Sequence, residues 1–316
     1  GIFDLATKLY GITFHPLKDV PKYHKDVMVY EVKEANGEHI GVFYMDFFPR
    51  ATKRGGAWMT SYRSQSVKDN KRVAPVISIV CNFSAPNGNE PALLTPDEVE
   101  TFFHEFGHAT HGLLSDVKYR RLAGTAVSRD FVELPSQIME HWAFEPEVLK
   151  FYAKHYQTGA AIPAELLEKM DKASKFNQGF ATIEYLAASL LDMGYHTLKA
   201  DQKVDVATFE KEQMNKLGLP KEIAPRYRST YFQHIFAGGY AAGYYSYIWS
   251  EVLDSDAFAA FKESGDIFNP EIAKSFRKNI LERGNTDEPM TLYKSFRGRE
   301  PDVKYLLKNR GLDQAQ

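Results

Sequence analysis

Alternating hydrophobic and polar positions mark the first third of the chain as rich in β-strands. Runs of β-branched and aromatic residues predict strands over 27–32, 39–48 and 76–83. Between the second and third runs stands Gly55-Gly56-Ala57-Trp58, whose paired glycines predict a loop or an edge that another backbone or a ligand approaches closely. Residues 84–91 contain two prolines, two asparagines and a glycine, and they predict a loop.

From residue 95 onward the hydrophobic positions recur with the period of an α-helix. Thr95-Pro96-Asp97-Glu98 predicts a helix start, with threonine as the cap, proline at the first helical position and glutamate at the third. Apolar residues three or four apart predict further helices over 145–156, 163–198, 207–216, 245–261 and 270–282. The pattern therefore predicts an α+β fold, mainly α with a small β-sheet, in which residues 1–316 form one continuous unit.

Composition and charge narrow the class of protein. The 316 residues are 44% hydrophobic and 25% charged, which is typical of a soluble globular protein with a substantial core. A net charge of −2 provides no bulk attraction to nucleic acid or anionic lipid, and no apolar run approaches the roughly 20 residues of a membrane helix. We therefore expect neither a nucleic-acid nor a membrane partner. The single cysteine, Cys81, allows no intrachain disulfide and fits a reducing, cytoplasmic compartment.

The candidate chemistry lies in His104-Glu105-Phe106-Gly107-His108, which has the H-E-x-x-H pattern on the helix that begins near Thr95. Two histidines at i and i+4 face the same way, so both imidazoles can reach one metal ion. Glu105 is rotated about 100° from that face, close enough to contact a water on the metal without being a ligand. The pattern therefore predicts a metal site with an adjacent general base.

A catalytic zinc site commonly has three protein ligands and a water, so a third ligand is expected. His111 shares the helix face but lies about 10 Å along the axis from His104, too far to bind the same tetrahedral ion. We expect His111 to be a core or cavity-lining residue. The alternative is a glutamate from a second helix: Glu133 has apolar neighbours, where an unpaired carboxylate is costly. Spacing alone does not choose between Glu133 and Glu140.

Two blocks of the sequence resemble the thimet-oligopeptidase family of zinc peptidases. The first comprises residues 104–112 and 129–137, and its continuation to residue 143 is most similar to bacterial peptidyl-dipeptidases within that family. The second is residues 232–247, FQHIFAGGYAAGYYSY. The similarity runs from about residue 46 to residue 301, but full family members are about twice as long. It therefore implies a zincin-type catalytic C-terminal half whose helical N-terminal half is missing, and it predicts an exposed apolar surface.

The first block implies a role for each matching residue. By resemblance, His104, His108 and Glu133 bind one Zn²⁺ ion per chain, and Glu105 is the general base. The family pattern thus selects Glu133, a choice that the spacing left open.

The second block predicts a glycine-rich loop that leads into a helix and presents four tyrosines and a histidine. By resemblance, Tyr247 is the expected oxyanion donor and Tyr240 binds the substrate backbone, while His234 and Tyr244 assist.

The resemblance implies a zinc metallopeptidase that acts on short peptides and releases dipeptides from their C-termini. Internal cleavage of short peptides is one alternative. A fragment that binds zinc and peptide without turnover is another, because half of the substrate channel is absent. Dipeptide release needs a cation for the free carboxylate, and the sequence offers Arg129, Arg283, Arg297 and Arg299 without placing any of them there. The chain begins with Gly1 and not with methionine, so we expect any targeting signal to lie upstream.

Overall fold

A small mixed β-sheet packs against a mainly helical body in the computed structural model, which describes residues 1–313. The strands are β1 (Thr13–Pro16), β2 (Met28–Lys33), β3 (His39–Asp46), β4 (Trp58–Arg63), β5 (Ser66–Lys68), β6 (Lys71–Val73) and β7 (Val76–Val80). The helices are α1 (Ile2–Tyr10), α2 (Pro96–Leu113), α3 (Leu134–Ala143), α4 (Pro146–Tyr152), α5 (Ala164–Ser174), α6 (Gln178–His196), α7 (Val206–Lys216), α8 (Gln233–Phe236), α9 (Ser246–Glu263), α10 (Pro270–Phe276), α11 (Pro289–Arg297) and α12 (Lys304–Asn309). The predicted α+β class is confirmed.

The main sheet has the strand order β1-β2-β3-β7-β4. Strands β3 and β7 are parallel, and the other neighbours are antiparallel. Fully buried Phe43 and Ile77 face α2, where the Phe43 ring lies 5.9 Å from that of Phe106. All three predicted strands are confirmed, whereas β1 and the edge strand β4 are additional. Both escaped prediction because they are short and mostly exposed or half-buried, without clear alternation.

The helix start predicted at Thr95 is confirmed. The Thr95 hydroxyl accepts the Glu98 backbone N–H at 3.3 Å, and the Glu98 carboxylate accepts the Thr95 N–H at 2.9 Å. The same carboxylate also accepts the backbone N–H of Ser84, which ties the preceding loop to the helix. This capping box sets where α2 begins and hence which of its residues face the sheet.

Two of the predicted helices are interrupted. The single helix predicted over 163–198 is wrong, because α5 and α6 are separated at Asn177, which has a φ of +55°. Asparagine tolerates this left-handed conformation, and the apolar spacing continues across the break. The segment predicted over 270–282 is helical, but beyond α10 it widens into a π-helix over Arg277–Leu281. The remaining predicted helices correspond to α4, α7 and α9.

The largest hydrophobic core unites the two ends of the chain. It includes Leu5 of α1, Ile79 of β7, Trp142 of α3 and Tyr293 of α11, all essentially inaccessible to solvent. Cys81 is fully buried, and burial raises the pKa of its thiol. Within residues 1–313, no helix is both long enough and apolar enough to cross a bilayer.

Candidate metal centre

A close crossing of α2 and α3 brings the candidate residues together, and Gly107 makes it possible. A Cβ atom at Gly107 would lie only 2.1 Å from the Pro135 carbonyl oxygen and 2.5 Å from the Ser136 Cα atom. Pro135 lies in the first turn of α3, where no helical hydrogen bond needs its missing N–H. The crossing places Glu133, the N-cap residue of α3, against the face of α2 that carries the histidines.

Replacing Gly107 with alanine should separate the two helices. The added methyl group meets backbone atoms, which a change of rotamer cannot move away, so we expect a loss of about 3 kcal/mol in the free energy of unfolding. Urea unfolding measures this loss. Gly179→Ala on α6 is the matched control, because a Cβ there has nothing within 4 Å and should be neutral or stabilising. Equal stability of the two variants would contradict the crossing.

Three potential ligand atoms converge at the crossing. Glu133 Oε2 lies 3.3 Å from His104 Nε2 and 3.0 Å from His108 Nε2. The three potential ligand atoms, one from each residue, all lie within 4.8 Å of one another. The Glu133 residue is 1% exposed to solvent. Two imidazole nitrogens and one carboxylate oxygen are the donor set of catalytic zinc sites. The residues therefore fit a zinc ion.

Glu133 and Glu140, between which the spacing did not choose, lie on different sides of the His104 ring. Glu133 faces the Nε2 atoms, whereas Glu140 Oε1 accepts a hydrogen bond of 2.5 Å from His104 Nδ1, on the opposite side of the ring. Burial opposes a charge on His104, but both carboxylates hold its pKa well above the usual value. Burial likewise opposes the charge of Glu133, yet the two imidazoles hold its pKa well below the usual value. Glu140 therefore lies where a carboxylate would orient His104, on the side of the ring away from the three converging atoms.

Glu105 lies beside the converging atoms with a free oxygen. It is 4% exposed, it lines the cleft, and its Oε2 atom has no hydrogen-bond partner among the described residues. Burial raises the pKa of Glu105, partly offset by the nearby imidazoles. A carboxylate with an unused oxygen and a raised pKa can accept a proton from a water in the cleft.

The second sequence block forms the opposite wall. His234, Tyr240 and Tyr247 line a cleft of about 490 Å³ together with the three candidate ligands. The Tyr240 hydroxyl donates to Glu133 Oε1 at 2.5 Å, and the Tyr240 and Tyr247 rings stack with their centroids 5.3 Å apart. Burial raises the pKa of both tyrosines, and the Glu133 carboxylate raises it further. Both hydroxyls therefore remain protonated and can donate hydrogen bonds.

Tyr244 and His111 do not line the cleft. Tyr244 is 2% exposed and lies behind Tyr240 in an aromatic cluster with Phe232. His111 is fully buried in the core, where burial lowers its pKa to about 3. Of the two expectations for His111, the structure selects the core residue.

One of the four candidate arginines reaches the cleft. The Arg129 guanidinium carbon lies 4.5 Å from the centroid of the Tyr240 ring. Arg297 and Arg299 are instead paired with the buried Asp256, and Arg283 donates to a neighbouring threonine away from the cleft.

Sequence reasoning missed several residues of the cleft. Arg54 lines it beside the paired glycines, with its guanidinium 4.6 Å from the Trp58 ring centroid. Thr125, Met59 and Gln233 also contribute to the lining. The sequence signal for this side of the cleft is the glycine pair, Gly55 and Gly56, which predicts that a backbone or a ligand approaches closely there. That signal does not identify the side chains beside the glycines.

Comparison with known proteins places the chain in a family. The model of Peptidase family M3 matches residues 1–312. The dipeptidyl carboxypeptidase of Escherichia coli is 48% identical, and oligopeptidase A of the same organism is 43% identical. Each match covers 99% of this chain and 46% of the relative, so the chain spans about half the length of the curated relatives it matches.

A solved structure shows a related fold. A carboxypeptidase of Pyrococcus furiosus superimposes with a TM-score of 0.51 and 17% identity, over 84% of this chain and 53% of its own. At this identity the likeness concerns the fold alone. The family resemblance of the two sequence blocks is confirmed by the family match, and the chain belongs to Peptidase family M3, a family of zinc metallopeptidases.

Proposed function

We propose that this chain is the catalytic half of a zinc metallopeptidase that releases dipeptides from the free C-termini of short peptides. The convergence of His104, His108 and Glu133 beside the free oxygen of Glu105 carries this proposal. Residues 1–316 would form one catalytic domain with one Zn²⁺ ion. A cytoplasmic location is part of the proposal, supported by the single, buried cysteine.

Each side chain of the cleft has a task in such a reaction. A zinc ion, when bound, supplies the Lewis acidity that makes a water nucleophilic near neutral pH. Glu105 takes the proton of that water through Oε2 and delivers it to the leaving amine. Tyr247 donates a hydrogen bond from its hydroxyl to the developing oxyanion and keeps its proton, and Tyr240 hydrogen-bonds the substrate backbone. Tyr244 is proposed to assist from behind this wall, and His234 from within it.

Two observations favour dipeptide release over internal cleavage. The 48% identical relative is a dipeptidyl carboxypeptidase, whereas the 43% identical relative is an oligopeptidase. In addition, Arg129 lines the cleft, and no carboxylate among residues 1–313 forms an ion pair with it. A guanidinium without a carboxylate partner is suited to the free C-terminus of a peptide.

One nonapeptide, offered with a free and with an amidated C-terminus in the presence of zinc, tests the proposal by mass spectrometry of the products. Stepwise loss of dipeptides from the free acid alone is the expected result. Equal internal cutting of both forms would replace the proposal with an oligopeptidase. If zinc binds and neither peptide is cut, this chain is a binding fragment that needs its other half for turnover.

An exposed apolar stripe on α6 supports the idea of a missing half. Phe180, Ile183, Leu190 and Met193 recur three to seven residues apart, and each is at least 40% exposed. Apolar stripes of this kind usually face another part of a protein. We propose that the remaining half of the polypeptide covers this stripe. An apolar fluorescent dye should bind less to the full-length protein than to this chain, and equal binding would refute the proposal.

Replacing Glu140 with glutamine should weaken zinc binding about 10–100-fold, because a partner that orients a ligand typically contributes that much. The glutamine amide can still hydrogen-bond His104, but it carries no charge. Chelator competition measures the zinc affinity. Glu145→Gln is the matched control, since that carboxylate pairs with Lys262 and contacts no ligand. A Glu140→Gln variant with wild-type affinity would remove Glu140 from the metal site.

A further inference from the structure

The tyrosine loop, defined here as residues 238–247, is attached to α6 through one buried carboxylate. Asp192 is 1% exposed, and each of its oxygens accepts a backbone N–H from the loop. The Ala242 N–H donates to Oδ1 and the Tyr244 N–H to Oδ2, both at 2.9 Å. A carboxylate that accepts two alternate backbone amides fixes the path of the chain between them.

The backbone at this point has a conformation that alanine disfavours. Ala242 has a φ of +52°, and the other non-glycine residues with positive φ among residues 1–313 are Asp69, Asn70 and Asn177. Aspartate and asparagine tolerate the left-handed region, whereas alanine enters it only when its surroundings impose it. At Ala242 the surroundings include the Asp192 carboxylate, which holds the amides of residues 242 and 244.

Further contacts from α6 complete the attachment. His196 Nδ1 lies 2.7 Å from Asp192 Oδ1, so it orients the buried carboxylate one helical turn away. The Tyr185 hydroxyl donates to the Tyr244 carbonyl oxygen, and the two rings stack with their centroids 5.1 Å apart. Helix α6 thus hydrogen-bonds two N–H groups and one carbonyl oxygen of the loop segment 242–244.

The attached segment lies between the two tyrosines of the cleft. Tyr240 precedes Ala242 by two residues and donates to the metal-ligand candidate Glu133, and Tyr247 follows Tyr244 by three. We propose that Asp192 is a positioning residue: by holding Ala242 in the left-handed conformation, it places the Tyr240 and Tyr247 hydroxyls over the metal centre. This inference rests on the proposed function for the role of those hydroxyls, but the attachment itself can be tested without any activity.

Hydrogen exchange of the zinc-loaded protein tests the attachment. Asparagine at position 192 presents an NH₂ group to one of the two loop amides, so Asp192→Asn should raise exchange across residues 242–244 about tenfold. Glycine adopts the left-handed conformation freely, so adding Ala242→Gly to the Asp192→Asn chain should recover part of the free energy of unfolding that Asp192→Asn loses, while the amide without an acceptor continues to exchange faster. Glu210→Gln is the matched control: this buried carboxylate accepts the Ser229 N–H, outside the loop, and its loss should leave residues 242–244 protected.

Each outcome of the exchange experiment either supports or overturns the proposed role of Asp192. Wild-type protection in Asp192→Asn overturns the proposal, as does an added Ala242→Gly that recovers no stability in urea unfolding. If Asp192→Asn does not fold but the double variant does, the proposal stands. If neither folds, Asp192 supports the whole fold and the proposal is wrong.

Peptide hydrolysis by the same variants then tests the link to chemistry. Asp192→Asn should lower kcat more than it raises KM, with zinc content unchanged, and Ala242→Gly should recover kcat. Unchanged kcat in a variant with an unprotected loop would refute the positioning role. If no variant and no wild-type chain cuts peptide, the exchange result still decides the attachment, and only the proposed function fails.

Discussion

Replacing Glu105 with glutamine should lower peptide hydrolysis about a thousandfold while zinc binding is retained. General-base catalysis contributes about 10²–10⁴-fold to an enzymatic rate, and an amide at this position cannot accept a proton. Glu105 is buried in the cleft, and its Oε2 atom has no partner among the described residues, so the substitution removes no hydrogen bond from that oxygen. Because Glu105 is outside the group of ligand atoms and hydrogen-bonds none of them, the affinity for zinc should be retained.

The measurement pairs steady-state hydrolysis of a short peptide with metal analysis of the same sample. Asp97→Asn is the matched control, since this carboxylate lies in the first turn of the same helix, away from the cleft. Hydrolysis that survives Glu105→Gln would discard the mechanism. Loss of zinc from that variant would show that Glu105 is a ligand and that the ligand set needs revision.

Replacing Glu133 with glutamine should have the largest effect on metal binding, a loss beyond the roughly 10–100-fold expected of an outer partner. The amide keeps the shape of the side chain but removes the negative charge that faces His104 and His108. It also replaces an oxygen that accepts hydrogen bonds from Tyr240 or from Ser136. Hydrolysis should therefore fall together with zinc content.

Zinc-dependent thermal stabilisation measures this effect without any activity. A metal that binds only the folded state stabilises it by about 2.7 kcal/mol when its concentration is 100 times Kd, so a large rise in Kd removes most of the shift in Tm. Ranked by loss of zinc affinity, Glu133→Gln should exceed Glu140→Gln, which should exceed Glu105→Gln. A larger loss of zinc affinity in Glu140→Gln than in Glu133→Gln would mean that Glu140 is the third ligand.

Features that depend on neighbours along the chain could be predicted from the sequence. The capping box at Thr95 and Glu98, the helix that follows it and the strands β2, β3 and β7 of the main sheet were predicted, because helix caps and side-chain periods depend on residues a few positions apart. The same reasoning placed His104 and His108 on one helix face with Glu105 beside them. The prediction of one long helix over 163–198 was wrong, because the apolar spacing continues across Asn177 although this residue adopts a left-handed conformation that ends one helix and begins the next.

Features that depend on the crossing of distant segments were decided by the tertiary structure. Spacing left Glu133 and Glu140 equivalent, and the resemblance chose Glu133; the close approach of α3 at Gly107 puts Glu133 toward the Nε2 atoms and Glu140 behind His104. The tertiary structure likewise decides which of the four candidate arginines lines the cleft: Arg129 does, and the other three lie outside it.

The sequence by itself therefore determined which reactive groups the protein contains. They are His104, Glu105 and His108 at helical spacing and the tyrosines of the glycine-rich loop. The tertiary structure decided which groups meet. Tyr244 is buried behind the cleft, and Asp192, which no motif marks, anchors the loop from 50 residues away in sequence. The physical reason is that ligand distances and hydrogen bonds act over a few ångströms in space, whereas sequence patterns report only contacts within a helix turn or a strand repeat.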